Sequence, residues 1–307
     1  MVIVIAGPTC VGKTKMSVEL AKRLNGEVIN ADSTQVYRGM DVATAKVTED
    51  EKEGIPHHLF DIKNIDEDYS IYDYQNDART KIDEIISKGK TPILVGGTGL
   101  YIKAALYNYE FKDEVSHNYS SYSNDELYQQ LLLVDPETEI HPNNRKRVER
   151  ALSYYENHKE PMSLKESSDT LLYDTIFIGL TTNREGLYNR INKRVDVMVD
   201  NGLLKEAKEI YDTGILTKAV LTPIGYKELF PYFKGEKELD GCLDEIKKNS
   251  RHYAKRQYTF FNHQIPIEWF DVDYENFENT VDAVYNIIRL RGCTPCRSSN
   301  SPGTLLP

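Results

Sequence analysis

Apolar and polar positions along this chain fall into short blocks that switch between a strand-like and a helix-like period. Val2-Ile3-Val4-Ile5 is a β-branched run, read as a strand buried on both faces. A glycine-bearing turn follows, and then Met16, Leu20 and Leu24 recur at helical spacing over Lys13 to Leu24. Glu27 to Asn30 reads as a second strand, and Ile71 to Ser87 returns to a helical period through Ala78, Ile82, Ile85 and Ile86. Thr91 to Val95 is another apolar strand, leading through Gly96-Gly97-Thr98-Gly99 into an apolar helix over Leu100 to Leu106. Strand, helix, strand, helix in this order predicts an α/β fold with a parallel sheet flanked by helices.

From about Lys112 to Leu172 the pattern changes. The tract is polar and rich in Tyr and Ser at first, then helical without obvious strands, and is read as a mainly helical insertion domain. Tyr173 to Leu180 returns to an apolar strand, Leu187 to Tyr211 reads as one or two amphipathic helices, Asp244 to Phe261 as a long helix, and Ile267 to Phe270 as a last strand. The expected organisation is a core over 1–111, an insertion over 112–172, a second core segment over 173–290 and a disordered tail over 291–307.

Composition narrows the function classes. Hydrophobic residues make up 40% and charged residues 28%, ordinary for a globular protein. No apolar run approaches the roughly 18 residues of a membrane helix, and the N-terminus lacks the features of a signal peptide, so the expectation is a cytoplasmic protein that meets no membrane. The four cysteines (Cys10, Cys242, Cys293 and Cys296) are too scattered for a disulfide framework, and the Cys293/Cys296 pair lacks the further ligands of a zinc site. A net charge of −10 argues against an indiscriminate nucleic-acid binder but leaves room for local basic grooves.

Gly7-Pro8-Thr9-Cys10-Val11-Gly12-Lys13-Thr14 matches G-x-x-x-x-G-K-[ST], set between a buried strand and a helix. Glycines let successive N–H groups face one anion, and the following helix adds its positive end. Lys13 brings a cation to the terminal phosphate, and the Thr14 hydroxyl is a ligand for Mg2+. The fold class is therefore P-loop NTPase-like, and the ligand carries a diphosphate or triphosphate. ATPases and GTPases usually have an apolar strand ending in Asp. The strand best placed for that role here ends in Gly96-Gly97, which counts against a hydrolytic motor or switch and leaves a small-molecule kinase open.

Asn30-Ala31-Asp32-Ser33-Thr34-Gln35-Val36-Tyr37 follows the second strand, and ligands in open α/β sheets bind at strand carboxyl ends. Asp32 should therefore lie beside the phosphate cradle, as a general base or as a helix N-cap. At this point the chain resembles the tRNA dimethylallyltransferases, or isopentenyltransferases. The matching stretches are GPTCVGKT, NADSTQVYRGMDVATAK, IPHHLFDI, YSIYDYQNDA, LVGGTGLYIKAAL, HPNNRKRVERAL, LYNRINKRVDVMV, IGYKEL and NSRHYAKRQ, in order from residue 1 to about 260.

The resemblance implies transfer of a dimethylallyl group from dimethylallyl diphosphate to N6 of the adenosine at position 37, beside the tRNA anticodon. Asp32 is then similar to the family's base, Thr14 to its Mg2+ and diphosphate partner, and Lys13 with the P-loop N–H groups to the stabilisers of the leaving diphosphate. Arg190 and Arg194, four apart on one helical face, resemble the segment that supplies a leaving-group arginine, with Arg190 favoured. Asp32, Ser33, Thr34, Gln35 and Thr98 match positions that contact the flipped adenosine. Arg145, Arg147 and Arg150 form one basic cluster, and Arg251, Lys255, Arg256 and Gln257 fall in the tRNA-contacting motif at the anticodon stem-loop. A monomer is expected. Thr259-Phe260-Phe261-Asn262 departs from the family's Thr-Trp-Phe-Arg, and Leu221-Thr222-Pro223 from its usual Gln-Ala. Prenylation of free adenine nucleotides is the nearest alternative, and the basic helix and the insertion speak against it.

Overall fold

A computed structural model describes residues 1–109, 115, 117–164 and 170–292. The elements run β1 (Val2–Ala6), α1 (Lys13–Leu24), β2 (Gly26–Asn30), α2 (Glu49–Lys52), β3 (His57–His58), α3 (Ile71–Ser87), β4 (Thr91–Val95) and α4 (Gly99–Leu106). They continue with α5 (Asn124–Val134), α6 (Arg145–His158), β5 (Thr175–Thr181), α7 (Arg184–Asp200), α8 (Leu203–Asp212), α9 (Lys218–Leu221), α10 (Phe230–Phe233), α11 (Leu239–Gln264), β6 (Glu268–Asp271) and α12 (Phe277–Gly292). One six-stranded sheet in the order β3-β2-β4-β1-β5-β6 is parallel throughout.

β1 lies between β4 and β5 and is buried along its whole length, which is why it is β-branched rather than alternating. Its side chains divide between two cores. Val2, Val4 and Ala6 pack with Tyr74, Ile82 and Ile102 of α3 and α4, while Ile3 and Ile5 pack with Met16, Leu20, Ile191 and Val284 of α1, α7 and α12. A third cluster joins the segment after β2 (Val36, Met40, Ala43) to α8, Tyr226 and α11.

Contacts divide the chain into Met1–Tyr107 with Leu171–Pro307, and Asn108–Thr170. The second unit holds α5 and α6 around its own core of Leu127, Leu131, Val148 and Leu152, and no strand among its described residues. Where the chain leaves the sheet unit and returns to it, Tyr107 and Leu171 form an antiparallel bridge, with Leu172 N donating to Leu106 O at 2.8 Å. Arg79 braces this crossing by donating to the carbonyls of Ala104, Ala105 and Tyr107.

Some elements depart from the sequence reading. β3 is two residues long, too short for any period to register. α12 went unread, although Val281, Val284 and Ile288 carry its apolar face. Arg291 and Gly292 close that helix, so the tail expected from 291 begins no earlier than 293, and 293–307, with Cys293 and Cys296, lies outside the described residues.

Candidate active site

Three loops leave the carboxyl ends of the neighbouring strands β2, β4 and β1, and their closeness depends on glycine. Gly96 lies so near the chain after β2 that a Cβ on it would stand 2.1 Å from Ala31 O. Gly96 N donates to Ile5 O at 3.3 Å and Thr98 N to Ala31 O at 3.1 Å, so the middle loop is bonded to both neighbours. Gln257 of α11 completes the join from above. Its Oε1 accepts from Thr9 N at 3.0 Å and its Nε2 donates to Gly97 O at 3.1 Å.

The first loop has the phosphate-cradle layout that its residues predict. Cys10 and Gly12 have φ of 69° and 86°, the left-handed turns that curl the backbone before α1 begins at Lys13. The Lys13 ammonium folds into the loop, donating to Gly7 O at 3.0 Å and Pro8 O at 2.6 Å. Burial lowers its pKa to about 8, opposed by the Asp32 carboxylate and assisted by the Arg194 charge.

α7 presents two of its three arginines to the loop. Arg194 donates to Thr9 Oγ1 at 2.9 Å, and Arg190 Nε donates to Cys10 O at 3.1 Å. Only Arg194 lines the cavity described below, whereas the Arg190 guanidinium lies over the Tyr274 ring, 3.7 Å from its centroid. Both arginines thus reach the loop, with Arg194 the inner of the two.

Asp32 ends no named helix, so its role as an N-cap falls away. Its Oδ1 accepts from Thr34 N at 3.0 Å and Thr34 Oγ1 at 2.7 Å, which locks a tight turn. Asn30 holds the Asp32 backbone from below, accepting from its N–H at 2.8 Å and donating to its carbonyl at 3.0 Å. No described residue donates to Oδ2, the oxygen on the Gly97 side. Ser33 N donates to Thr98 Oγ1 at 3.1 Å, and Gln35 Nε2 donates to Thr44 O at 2.9 Å and Ala45 O at 3.2 Å. Residues 41–43 are in turn held by Glu206 of α8, whose carboxylate accepts from Asp41 N, Val42 N and Ala43 N and from the Tyr226 hydroxyl. Glu206 lies 163 to 165 residues from these three amides, and no local spacing announces it.

A cavity of about 760 Å³ joins these parts. Thr9, Lys13, Thr14, Asp32, Ser33, Thr98 and Arg194 line it, and Ile191, Val195, Met198 and Ile246 give it an apolar wall. Sequence reasoning missed Tyr253, His57 and Phe60, which also line it. Burial raises the Tyr253 phenol pKa, with the Asp32 carboxylate adding to the effect. Thr222 and Pro223, the departure from Gln-Ala, belong to the same lining.

The basic residues divide into committed and free. Gln257, grouped with the tRNA contacts from its motif, is 5% exposed, lines the cavity and spends its amide on the loops. Arg145 is likewise turned inward. It donates to Glu149, to Asn124 and to the carbonyls of Tyr119 and Tyr122, holding its own unit together. Arg147 and Arg150 are exposed on α6, Arg150 with a long 3.5 Å bond to the Tyr109 hydroxyl and Arg147 the freer of the two. On α11, Arg251 donates to Asn192 at 2.6 Å and Lys247 pairs with Asp196, while Lys255 is exposed and Arg256 stands over Tyr253 at the cavity.

Comparison with known proteins matches residues 35–264 to the family model described as IPP transferase. A tRNA dimethylallyltransferase of Anoxybacillus flavithermus is 49% identical over 297 residues, covering 94% of this chain and 96% of its own. The full-length tRNA isopentenylpyrophosphate transferase of Bacillus halodurans superposes with a TM-score of 0.74 at 43% identity, over 94% of this chain and 96% of its own. A eukaryotic dimethylallyltransferase, solved in crystallographic snapshots acting on tRNA, superposes with a TM-score of 0.84 at 32% identity, over 98% of this chain and 82% of its own.

Proposed function

The chain belongs to the IPP transferase family, and from that premise we propose that it moves a dimethylallyl group from dimethylallyl diphosphate to N6 of adenosine 37 in the tRNA anticodon stem-loop, releasing diphosphate. Dimethylallyl transfer to tRNA is the family's reaction and is the reaction of this enzyme. The observation that carries the finer reading is the single cavity lined by a phosphate cradle, an apolar wall and the Asp32 carboxylate.

The chemistry follows from that lining. The adenine amine attacks C1 of the allyl group, the C1–O bond breaks with its electron pair leaving on the diphosphate, and the N6 proton passes to Asp32 Oδ2. Thr34 fixes the other oxygen of the carboxylate, so the accepting lone pair is aimed before the substrate arrives. Negative charge grows on the departing oxygen, where the loop N–H groups, Lys13, Arg194 and Arg190 meet it. Ile191 and Val195 sit on the same helix as Arg194, so a ligand gripped by its diphosphate finds an apolar surface beside it rather than groups for a nucleoside.

Among the described residues no group of three His, Cys, Asp or Glu side chains is placed to hold a metal. A magnesium ion would rest on the Thr14 hydroxyl, diphosphate oxygens and water, a hard-oxygen set that suits it. When bound it would neutralise charge on the diphosphate. We propose that it acts as a monomer, since this chain alone supplies a phosphate cradle, a carboxylate and an apolar wall to the cavity. No helix of the described residues is long and apolar enough to cross a membrane, and we place the reaction in the cytoplasm with its tRNA.

The test is incubation with magnesium and labelled dimethylallyl diphosphate, offering unmodified tRNA with adenosine after the anticodon in one arm and AMP in the other. Label in that adenosine alone is expected. Label in AMP would replace the acceptor, and label in neither would reopen a kinase acting on a small molecule.

A further inference from the structure

The turn between β6 and α12 lies outside the matched residues 35–264 and belongs to no motif read in the sequence. Asp273 makes it rigid. Its carboxylate accepts from Glu275 N at 3.0 Å, Asn276 N at 2.8 Å and Asn279 Nδ2 at 2.8 Å, while its own N–H donates to Thr280 Oγ1 at 2.9 Å. The bond from Asn276 leads in drawing this carboxyl pKa below its ordinary range.

The turn delivers two rings to the phosphate-binding loop. Phe277 lies against Gly12, where a Cβ would come within 2.8 Å of the ring, and Lys15 Nζ stands 4.9 Å from the ring centroid. Tyr274 lies under Arg190 at 3.7 Å, the shortest cation-to-ring approach among the described residues. With its face on the ring and its Nε on Cys10 O, the guanidinium is fixed in two directions. Neither terminal nitrogen of Arg190 has an acceptor among the described residues, so that edge is left for phosphate oxygens. The Tyr274 hydroxyl is buried beside Thr182 and bonds to nothing in the phosphate-binding loop, so the residue reaches Arg190 through its ring and not its oxygen.

We propose that Tyr274 is a positioning residue for the diphosphate, holding Arg190 against the apex of the phosphate-binding loop through its ring face. The proposal rests on the reading of that loop as the diphosphate seat. Inorganic diphosphate is the probe, titrated by calorimetry into the full-length enzyme, with KM for dimethylallyl diphosphate and for tRNA measured alongside. Tyr274→Leu is expected to weaken diphosphate binding and raise the KM of the prenyl donor by about threefold to tenfold, the scale of a lost cation–ring contact. The KM for tRNA should not move, and Tyr274→Phe should stay within about twofold of the parent by retaining that contact.

Adding Tyr274→Leu to Arg190→Ala should cost little more, because the ring acts only through that guanidinium. Should Tyr274→Leu fail to fold, Arg190→Lys asks the same question, since an ammonium does not stack flat, and it should bind diphosphate as weakly as Arg190→Ala. Unchanged binding in Tyr274→Leu or Arg190→Lys, equal losses in the Leu and Phe variants, or fully multiplicative losses would overturn the proposal. The calorimetric result stands or falls whatever the acceptor, so failure of the tRNA assay is a separate outcome.

Discussion

The strand ends and the two basic helices carry charge in opposite ways. Around Asp32 and Lys13 nearly every polar atom has a partner within the protein, drawn from α7, α8 and α11 as well as the loops themselves. On α6 and α11 the chain carries Arg147, Arg150 and Lys255 exposed, beside the inward-turned Arg145 and Gln257. The first arrangement suits chemistry, where a group must be aimed before the reaction. The second suits a flexible polyanion, met by cations whose contributions are small and additive.

If that division is right, the strand ends should be intolerant of substitution. Asp32→Ala should slow single-turnover transfer by about 10² or more, the scale of a lost general base, with tRNA affinity largely intact. Asp32→Asn keeps an acceptor for Thr34 but takes no proton, so it should be nearly as slow, and a fast Asn variant would remove the base role.

Much of the aimed half was legible before any coordinates. The cradle, α1, α3 and β4 follow from local signals: paired glycines, a 3.6 period, a β-branched run. What escaped was non-local. Glu206 and Tyr274 act on residues far away in sequence, and nothing in their own surroundings marks them, while Tyr253 lies inside a quoted motif whose local spacing does not point it at the cavity. Gln257 and Arg145 show the opposite limit. Their motifs were visible, but only the packing shows that their donors are already spent.

The cation inside the loop gives the next largest effect. Lys13 has a pKa lowered to about 8 by burial, so kcat/KM for the prenyl donor should fall above that pH, by about tenfold per unit, as the free enzyme loses the charge that meets the diphosphate. A Lys13→Met enzyme should be slow throughout and lack that limb.

Gln257→Ala unpins Thr9 from Gly97 and leaves the buried Gly97 carbonyl unpaired, at about 1–3 kcal/mol, with a smaller cost at the half-buried Thr9 N–H. Its melting temperature should drop and its kcat with it. A loss confined to tRNA affinity would return Gln257 to the binding surface. Smallest of all should be Lys255→Ala and Arg147→Ala. Each should weaken tRNA binding about evenly across sequences and flatten the slope of log K against log salt by about one. Arg145→Ala, by contrast, should lower the stability of its unit and leave that slope nearly alone. A slope change there would erase the distinction between committed and free arginines.

The crossing at Tyr107 and Leu171, clamped by Arg79, has a consequence for how such chains diversify. Because the two ends of 108–170 are stapled side by side by the sheet unit itself, closing the loop between them grows costlier only logarithmically with its length. The crossing is thus a grafting port. A longer, shorter or unrelated module spliced between these two residues should leave the register of β4 and β5 against β1 untouched, and with it the geometry of the strand-end site.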